Sequence, residues 1–505
     1  MKVHLMHDKA DFNPDRPLPV NAEELIQDLH VDAVLSAMAV GDDFLLKVAK
    51  AGVLASVGDV DGVLYRQDVL KDCLRHEAIV KKLYSIALRA IEADKKHYFG
   101  LLNRYPSGLL NRSIDVLLEF IQLLRQLRDI ADEDAGRFQS QGFTQLFAML
   151  QEELSDDYFA EIDEHLKQLK FRDGIWLSAT LGPGNKGAHY LLLQPHETQS
   201  GLLQRLFPGR FGQGYTFHIA DRDESASRAL SNLRDRGLHL VANALTQSVD
   251  AILSFFVQLR SELGFYLGCV NLHEQLTQIS VPVCFPKPLP AATRRRQFAK
   301  LCDVSLALHL EGPVVGNTLT LHGKELVVIT GANQGGKSTF LRSLGLFQLM
   351  LQCGMFVAAE SAEADLCSGV FTHFTREEDE TMTSGKFDEE LNRMTDLVTQ
   401  MQPQAMLLCN ESFASTDERE GSEIAQQVAL ALVESSVTVV FVTHFYRFAH
   451  GCYELNMENA LYLRAERQAD GHRTFRVRPG EPLETSYGTD LYQRIFAAPL
   501  DEPSP

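Results

Sequence analysis

A chain of 505 residues, 45% hydrophobic and 23% charged, has the make-up of a folded protein of about three domains. Its net charge of −19 excludes indiscriminate coating of nucleic acid, though not a local basic surface. No run of about 18 apolar residues suggests a membrane span, and Met1–Ala10 lacks the apolar core of a signal sequence. The eight cysteines form no C-x-x-C pair, which argues against zinc and for reduced, buried thiols. The expectation is a cytoplasmic protein with no membrane partner.

Residues 1–40 read as a short polar segment with one helical pattern from Ala22 to Met38. Residues 41–290 read as a helical core. Ile114, Leu117, Leu118, Ile121, Leu124 and Leu127 recur at helical spacing, the pattern of a core-facing stripe. Glu152 to Leu169 reads as one acidic helix. A small β insert is expected at about 172–222, from Gly174–Thr180, His189–Leu193 and Gly214–Ala220, with a turn at Gly182–Gly187. From Lys170 to Leu240 there are nine basic residues against six acidic ones, a mild electrostatic footprint within an acidic chain. Val241, Leu245, Val249, Ile252, Phe256, Leu259 and Leu263 form another long stripe. The Pro-rich run Val281–Pro290 marks a boundary, and residues 291–505 read as a nucleotide-binding domain.

That last assignment rests on Gly331-Ala332-Asn333-Gln334-Gly335-Gly336-Lys337-Ser338-Thr339, which fits G-x-x-x-x-G-K-[ST]. An apolar β-branched run, Leu326–Thr330, precedes it and a helical pattern from Phe340 to Met350 follows. Glycines let backbone N–H groups point at phosphates, and a helix N-terminus adds a favourable dipole. Lys337 is expected to reach the β/γ-phosphates and Ser338 to bind Mg²⁺. A second apolar run, Ala405–Cys409, ends in Asn410 and Glu411. Asn410 offers the metal an oxygen without charge, and Glu411 is the expected general base. A third run, Val437–Thr443, ends in His444, placed to sense the γ-phosphate or the attacking water. The cofactors expected are ATP and Mg²⁺.

These segments resemble the MutS family of DNA mismatch-repair ATPases. The loop resembles that family's G-P-N-M-G-G-K-S-T. Leu351–Glu360 resembles A-Q-I-G-S-F-V-P-A-E, Asn410–Gly421 resembles D-E-I-G-R-G-T-S-T-Y-D-G, Phe441–Phe445 resembles F-A-T-H-Y, and Thr485–Gly488 carries its S-Y-G. Tyr65–Leu70 resembles the start of its lever region. The resemblance implies an α+β multidomain protein. A helical core and lever hairpin with a clamp-like β insert would precede an α/β P-loop NTPase domain of ABC/MutS type. It implies an ATPase that couples nucleotide state to the angle of helical arms, acting as a homodimer with composite sites. Ser384 to Lys386 would reach the partner's site, and Asn333 would contact phosphate or polarise that site. The arms would bind DNA through the hairpin tip, residues 170–240, by backbone contacts, and a ribosomal partner is also admitted.

The departures are specific. About 40 residues precede the helical core, too few for the family's mismatch-reading domain, and the Phe159-Ala160-Glu161 triplet falls inside the acidic helix. Asn410 replaces the first acid of the second motif. Val314 stands where an aromatic often stacks on adenine, and the loop Thr383–Glu390 is shortened. Asn410 motivates a rival reading, a nucleotide-gated binding module with little hydrolysis. A transporter-type or chromosome-organising ATPase would need an L-S-G-G signature, which the sequence does not contain.

Overall fold

The computed structural model describes residues 1–97, 105–171, 175–183, 187–193, 223–376, 385–468 and 472–484. They form two compact units. One comprises Met1–Val3, Lys81–Arg137 and Thr144–Arg260, the other His4–Val80, Phe138–Phe143 and Ser261–Pro505.

The first unit is mainly helical. Pro106 begins the helix Pro106–Asp134, where its fixed φ suits a first turn. Ile114, Leu117, Ile121, Leu124 and Leu127 are all buried along it. The acidic stretch is two helices rather than one, Gln141–Glu153 and Asp156–Leu169. Ser155 between them is extended, and its hydroxyl accepts from the Tyr158 N–H at 3.2 Å, so it caps a new helix. Phe159 is 3% exposed and lies under the Arg125 guanidinium, 4.4 Å from its ring centre. Strands β1 (Trp176–Leu181) and β2 (Gly187–Leu193) pair antiparallel, with Trp176 opposite Leu193 and an irregularity between Ser178 and Thr180. The third expected strand, Gly214–Ala220, lies outside the described residues. The helix Glu224–Gln278 has 55 residues, roughly 80 Å at the α-helical rise, and contributes to both units. One 18-residue stretch of it has mean hydropathy 1.5 and is 28% buried. Sequence runs alone suggested no such stretch. By length and composition it is able to cross a membrane, although long helices of soluble proteins have the same make-up.

The second unit holds the larger sheets. Its strands are β3 (Lys287–Leu289), β4 (Arg296–Leu301), β5 (Asn317–Thr320), β6 (Leu326–Gly331), β7 (Ser361–Asp365), β8 (Val370–Phe374), β9 (Met406–Asn410), β10 (Thr438–Val442), β11 (Ala460–Arg467) and β12 (Arg473–Pro479). A six-stranded sheet runs β12-β11-β6-β10-β9-β8 and a four-stranded one β3-β7-β4-β5. In the larger sheet every pairing is parallel except β11 with β12. Leu326–Ile329, Met406–Cys409 and Thr438–Val442 are buried without a break, as expected of parallel strands covered on both faces.

The N-terminal residues pack into this same unit. The buried Glu262 carboxylate accepts from the backbone N–H of Met6 and Phe12. Arg66, 1% exposed, donates to the carbonyls of Met6 and Cys353. The single helix expected from Ala22 to Met38 is two, Ala22–Leu29 and Val31–Ala39, because His30 takes a left-handed φ of 52°. Asn21 donates to the Val370 carbonyl of β8 at 2.7 Å. All eight cysteines belong to this unit and are free. Seven are buried and Cys284 is half-buried. Burial pushes the thiols up, Cys284 to about 11 and Cys353 to about 12.

Candidate nucleotide site

Parallel strands end on one edge of their sheet, and that edge is where α/β proteins gather ligand-binding loops. Here β6, β10 and β9 are consecutive neighbours, so the loops after them meet.

The loop after β6 is built on backbone only glycine tolerates. Gly331 and Gly336 have φ of 113° and 91°, the left-handed region. A Cβ on Gly335 would sit 2.8 Å from the Ala332 carbonyl oxygen, and one on Gly336 would sit 3.2 Å from the Phe475 carbonyl oxygen. The helix Lys337–Gln352 starts directly afterwards. Lys337 is 6% exposed, and its ammonium donates to the carbonyls of Gly331 (3.0 Å) and Ala332 (3.3 Å). Burial lowers its pKa below the usual lysine value; Glu411 opposes the shift and Arg473 adds to it.

Ser338 donates its hydroxyl to Asn410 Oδ1 at 2.8 Å, so the loop after β6 touches the end of β9. Glu411 follows with φ of 54°, an uncommon backbone for a non-glycine residue. Its N–H donates to the Val442 carbonyl at 2.9 Å, and its own carbonyl accepts from Thr375 Oγ1. Among the described residues, its carboxylate is held by His444. The His444 backbone N–H reaches one oxygen and Nε2 the other, each at 3.0 Å. Behind them lies the fully buried His373. Its Nε2 donates to the Glu390 carbonyl at 3.1 Å, which leaves Nδ1 bare in the neutral ring, 2.7 Å from Ser412 Oγ. Burial lowers the His373 pKa to about 4, so the ring is neutral near pH 7.

A cavity of about 430 Å³ adjoins the loop at Gln334, Gly336 and Thr339. Leu306, Leu310, Val314, Val315, Phe340 and Phe475 supply its apolar walls, and Asp303 and Asn317 add polar groups. The sequence pointed to Val314 as the lost aromatic position. Phe475 of β12 gives this cavity an exposed aromatic face that no local motif announced.

Every residue singled out from Gly331 to Thr339, with Asn410, Glu411 and His444, thus lies on this edge. Asn333 is half-buried within the loop. Ser384 and Thr485–Gly488 lie outside the described residues, and Lys386 begins the helix Lys386–Gln400. Of the nine basic residues between 170 and 240, Arg172, Lys186, Arg205, Arg210 and Arg222 also lie outside them. Among the others, Arg228 pairs with Glu224 at 3.1 Å. Among the described residues no group of three or more His, Cys, Asp or Glu side chains is arranged to hold a metal.

Two family profiles match the chain. The MutS2 N-terminal domain matches residues 58–279, and MutS domain V matches residues 327–498. Over these two stretches the chain is similar to MutS proteins. The DNA mismatch repair protein MutS of Synechococcus sp. is 32% identical over 209 residues, 38% of this chain and 23% of that protein. MutS of Thermus aquaticus is 33% identical over 168 residues, 33% of this chain and 20% of that protein. The MutS protein homolog 4 of Mus musculus is 31% identical over 150 residues, 30% of this chain and 16% of that protein. The chain therefore spans about a fifth of the length of the curated MutS relatives it matches.

Proposed function

We propose that this MutS-like chain is a Mg²⁺-dependent ATPase whose nucleotide state controls helical arms that bind DNA. The observation that carries the reading is the Ser338–Asn410 contact beside Lys337 and Glu411. A hydroxyl and an amide oxygen side by side suit a hard divalent cation, and Mg²⁺ is commonly held by one or two protein oxygens plus phosphates. A Cβ at Gly331, Gly335 or Gly336 would meet Ala465, Ala332 or Phe475, so only glycine allows the loop backbone that would turn its N–H groups to phosphates. Lys337 binds the β/γ-phosphates, Glu411 accepts the proton of the attacking water, and His444 holds the Glu411 carboxylate and senses the γ-phosphate. The adjoining cavity takes the adenine, with Phe475 as the stacking face.

Asn410 favours a second reading, a nucleotide-gated binding module with little hydrolysis. The metal site lacks a carboxylate at this position, and the Glu411 carboxylate is occupied by His444. Under either reading the working unit is a homodimer in a cytoplasmic setting, which eight free thiols suit. DNA is the partner favoured by the relatives' role in DNA mismatch repair, and ribosomes are the alternative. The test is ATP turnover by wild type and Lys337→Ala, alone and with duplex DNA, branched DNA or ribosomes. Stimulation by DNA in wild type, with no nucleotide binding by folded Lys337→Ala, is expected. Unchanged nucleotide affinity in Lys337→Ala overturns the assignment.

A further inference from the structure

Arg473, the first residue of β12, is 7% exposed. Its Nη1 donates to the Gln334 side-chain oxygen at 3.2 Å, which ties it to the phosphate loop. Among the described residues, its buried Nε and Nη2 have no hydrogen-bond partner. It makes no ion pair among the described residues. Among the described residues of the hairpin, the acid Glu466 is engaged by Arg478 at 2.9 Å and by Thr474 at 2.8 Å. A guanidinium cannot shed its charge, and a buried charge with no counter-charge is costly. A second cation, Lys337, is close enough to feel it. Two cations beside one glycine loop, one of them with unfilled donors, describe a site short of an anion.

We propose that Arg473 binds the phosphates of the nucleotide from within the same chain, leaving Gln334 as the nucleotide enters. This rests on the nucleotide reading above. Lys337 approaches from the loop, and Arg473 comes from the β11–β12 hairpin. The planar donor fork of arginine suits a phosphate edge better than the point charge of lysine. Gln334 is then a resting partner, an uncharged oxygen that occupies one donor while no phosphate is present. The pairing belongs to this chain's own residues, since the family loop quoted above has methionine at the position of Gln334.

The test measures affinities of fluorescent AMP, ADP and ATP analogues for wild type, Arg473→Ala, Arg473→Lys and Gln334→Leu, with circular dichroism as the folding check. Arg473→Ala is expected to weaken ATP and ADP by about ten- to a hundredfold, the range for a lost hydrogen bond to a charged group, and AMP much less. Arg473→Lys is expected to recover part of the loss, a rescue that a purely structural arginine would not give. It also carries the test if Arg473→Ala does not fold. Gln334→Leu is expected to bind ATP at least as well as wild type. Equal affinities of wild type and Arg473→Ala for ATP and ADP would overturn the proposal, as would an equal loss for all three nucleotides. If the wild type binds no nucleotide, the nucleotide reading itself fails.

Discussion

The amide of Asn410 and the carboxylate of Glu411 stand side by side at the end of β9. Both were readable because they follow an unbroken apolar run, and a run of that kind ends at the edge of a parallel sheet. What the sequence could not show is that His444 grips Glu411 from two sides, since that depends on β10 lying between β6 and β9. Glu411→Gln should retain nucleotide binding while hydrolysis slows by about a hundredfold or more, the loss expected for a general base. Single-turnover hydrolysis measures it, and unchanged turnover would transfer the role to His444. Asn410→Asp should tighten Mg²⁺, because a carboxylate adds charge to a site for a hard cation, and should raise steady-state turnover. Identical Mg²⁺ titrations of both proteins would mean that Asn410 does not face the metal. Phe475 and Arg473 were illegible for a plain reason. They sit more than 130 residues beyond the loop in sequence, and only the strand order brings β12 beside it.

Among the elements, the helix Lys337–Gln352 is fixed at both ends by left-handed glycines. Gly336 opens it, and Gly354 closes it with the Met355 N–H donating to Met350 and the Gly354 N–H to Leu351, a Schellman arrangement. A Cβ on Gly354 would stand 2.4 Å from Arg66 Cβ. Gly354→Ala should therefore destabilise the fold by about 1–3 kcal/mol, combining backbone strain with a clash. Urea unfolding measures this, and a midpoint equal to wild type would mean that Arg66 moves freely aside. Periodicity gave this helix correctly because its apolar spacing is regular. It failed where chemistry rather than spacing ends a helix. Ser155 followed by Asp156 and Asp157 is a capping signal that a continuous acidic pattern hid. His30 breaks its helix by a left-handed backbone angle, which the apolar spacing does not announce.

At the scale of the molecule, the basic excess between Lys170 and Leu240 and the buried Phe159 point the same way. A phenyl ring 3% exposed beneath Arg125 is not free to enter a base stack, and wedging is how bent-DNA binders sense a weakened step. Any DNA binding by this 505-residue chain should accordingly be salt-sensitive and discriminate little between matched and mismatched duplex. Competition at fixed salt among matched, mismatched and branched duplexes of equal length measures it. A marked preference for one mispair would place a base-reading element in residues other than Phe159. The distribution of cysteine has a separate consequence. All eight thiols lie in the unit that holds the phosphate loop, and none lies in the other. A raised thiol pKa and burial make each one slow to react until its surroundings open. Alkylation thus acts as a clock for one unit and is deaf to the other, and a single cysteine placed in the silent unit would give it a clock of its own.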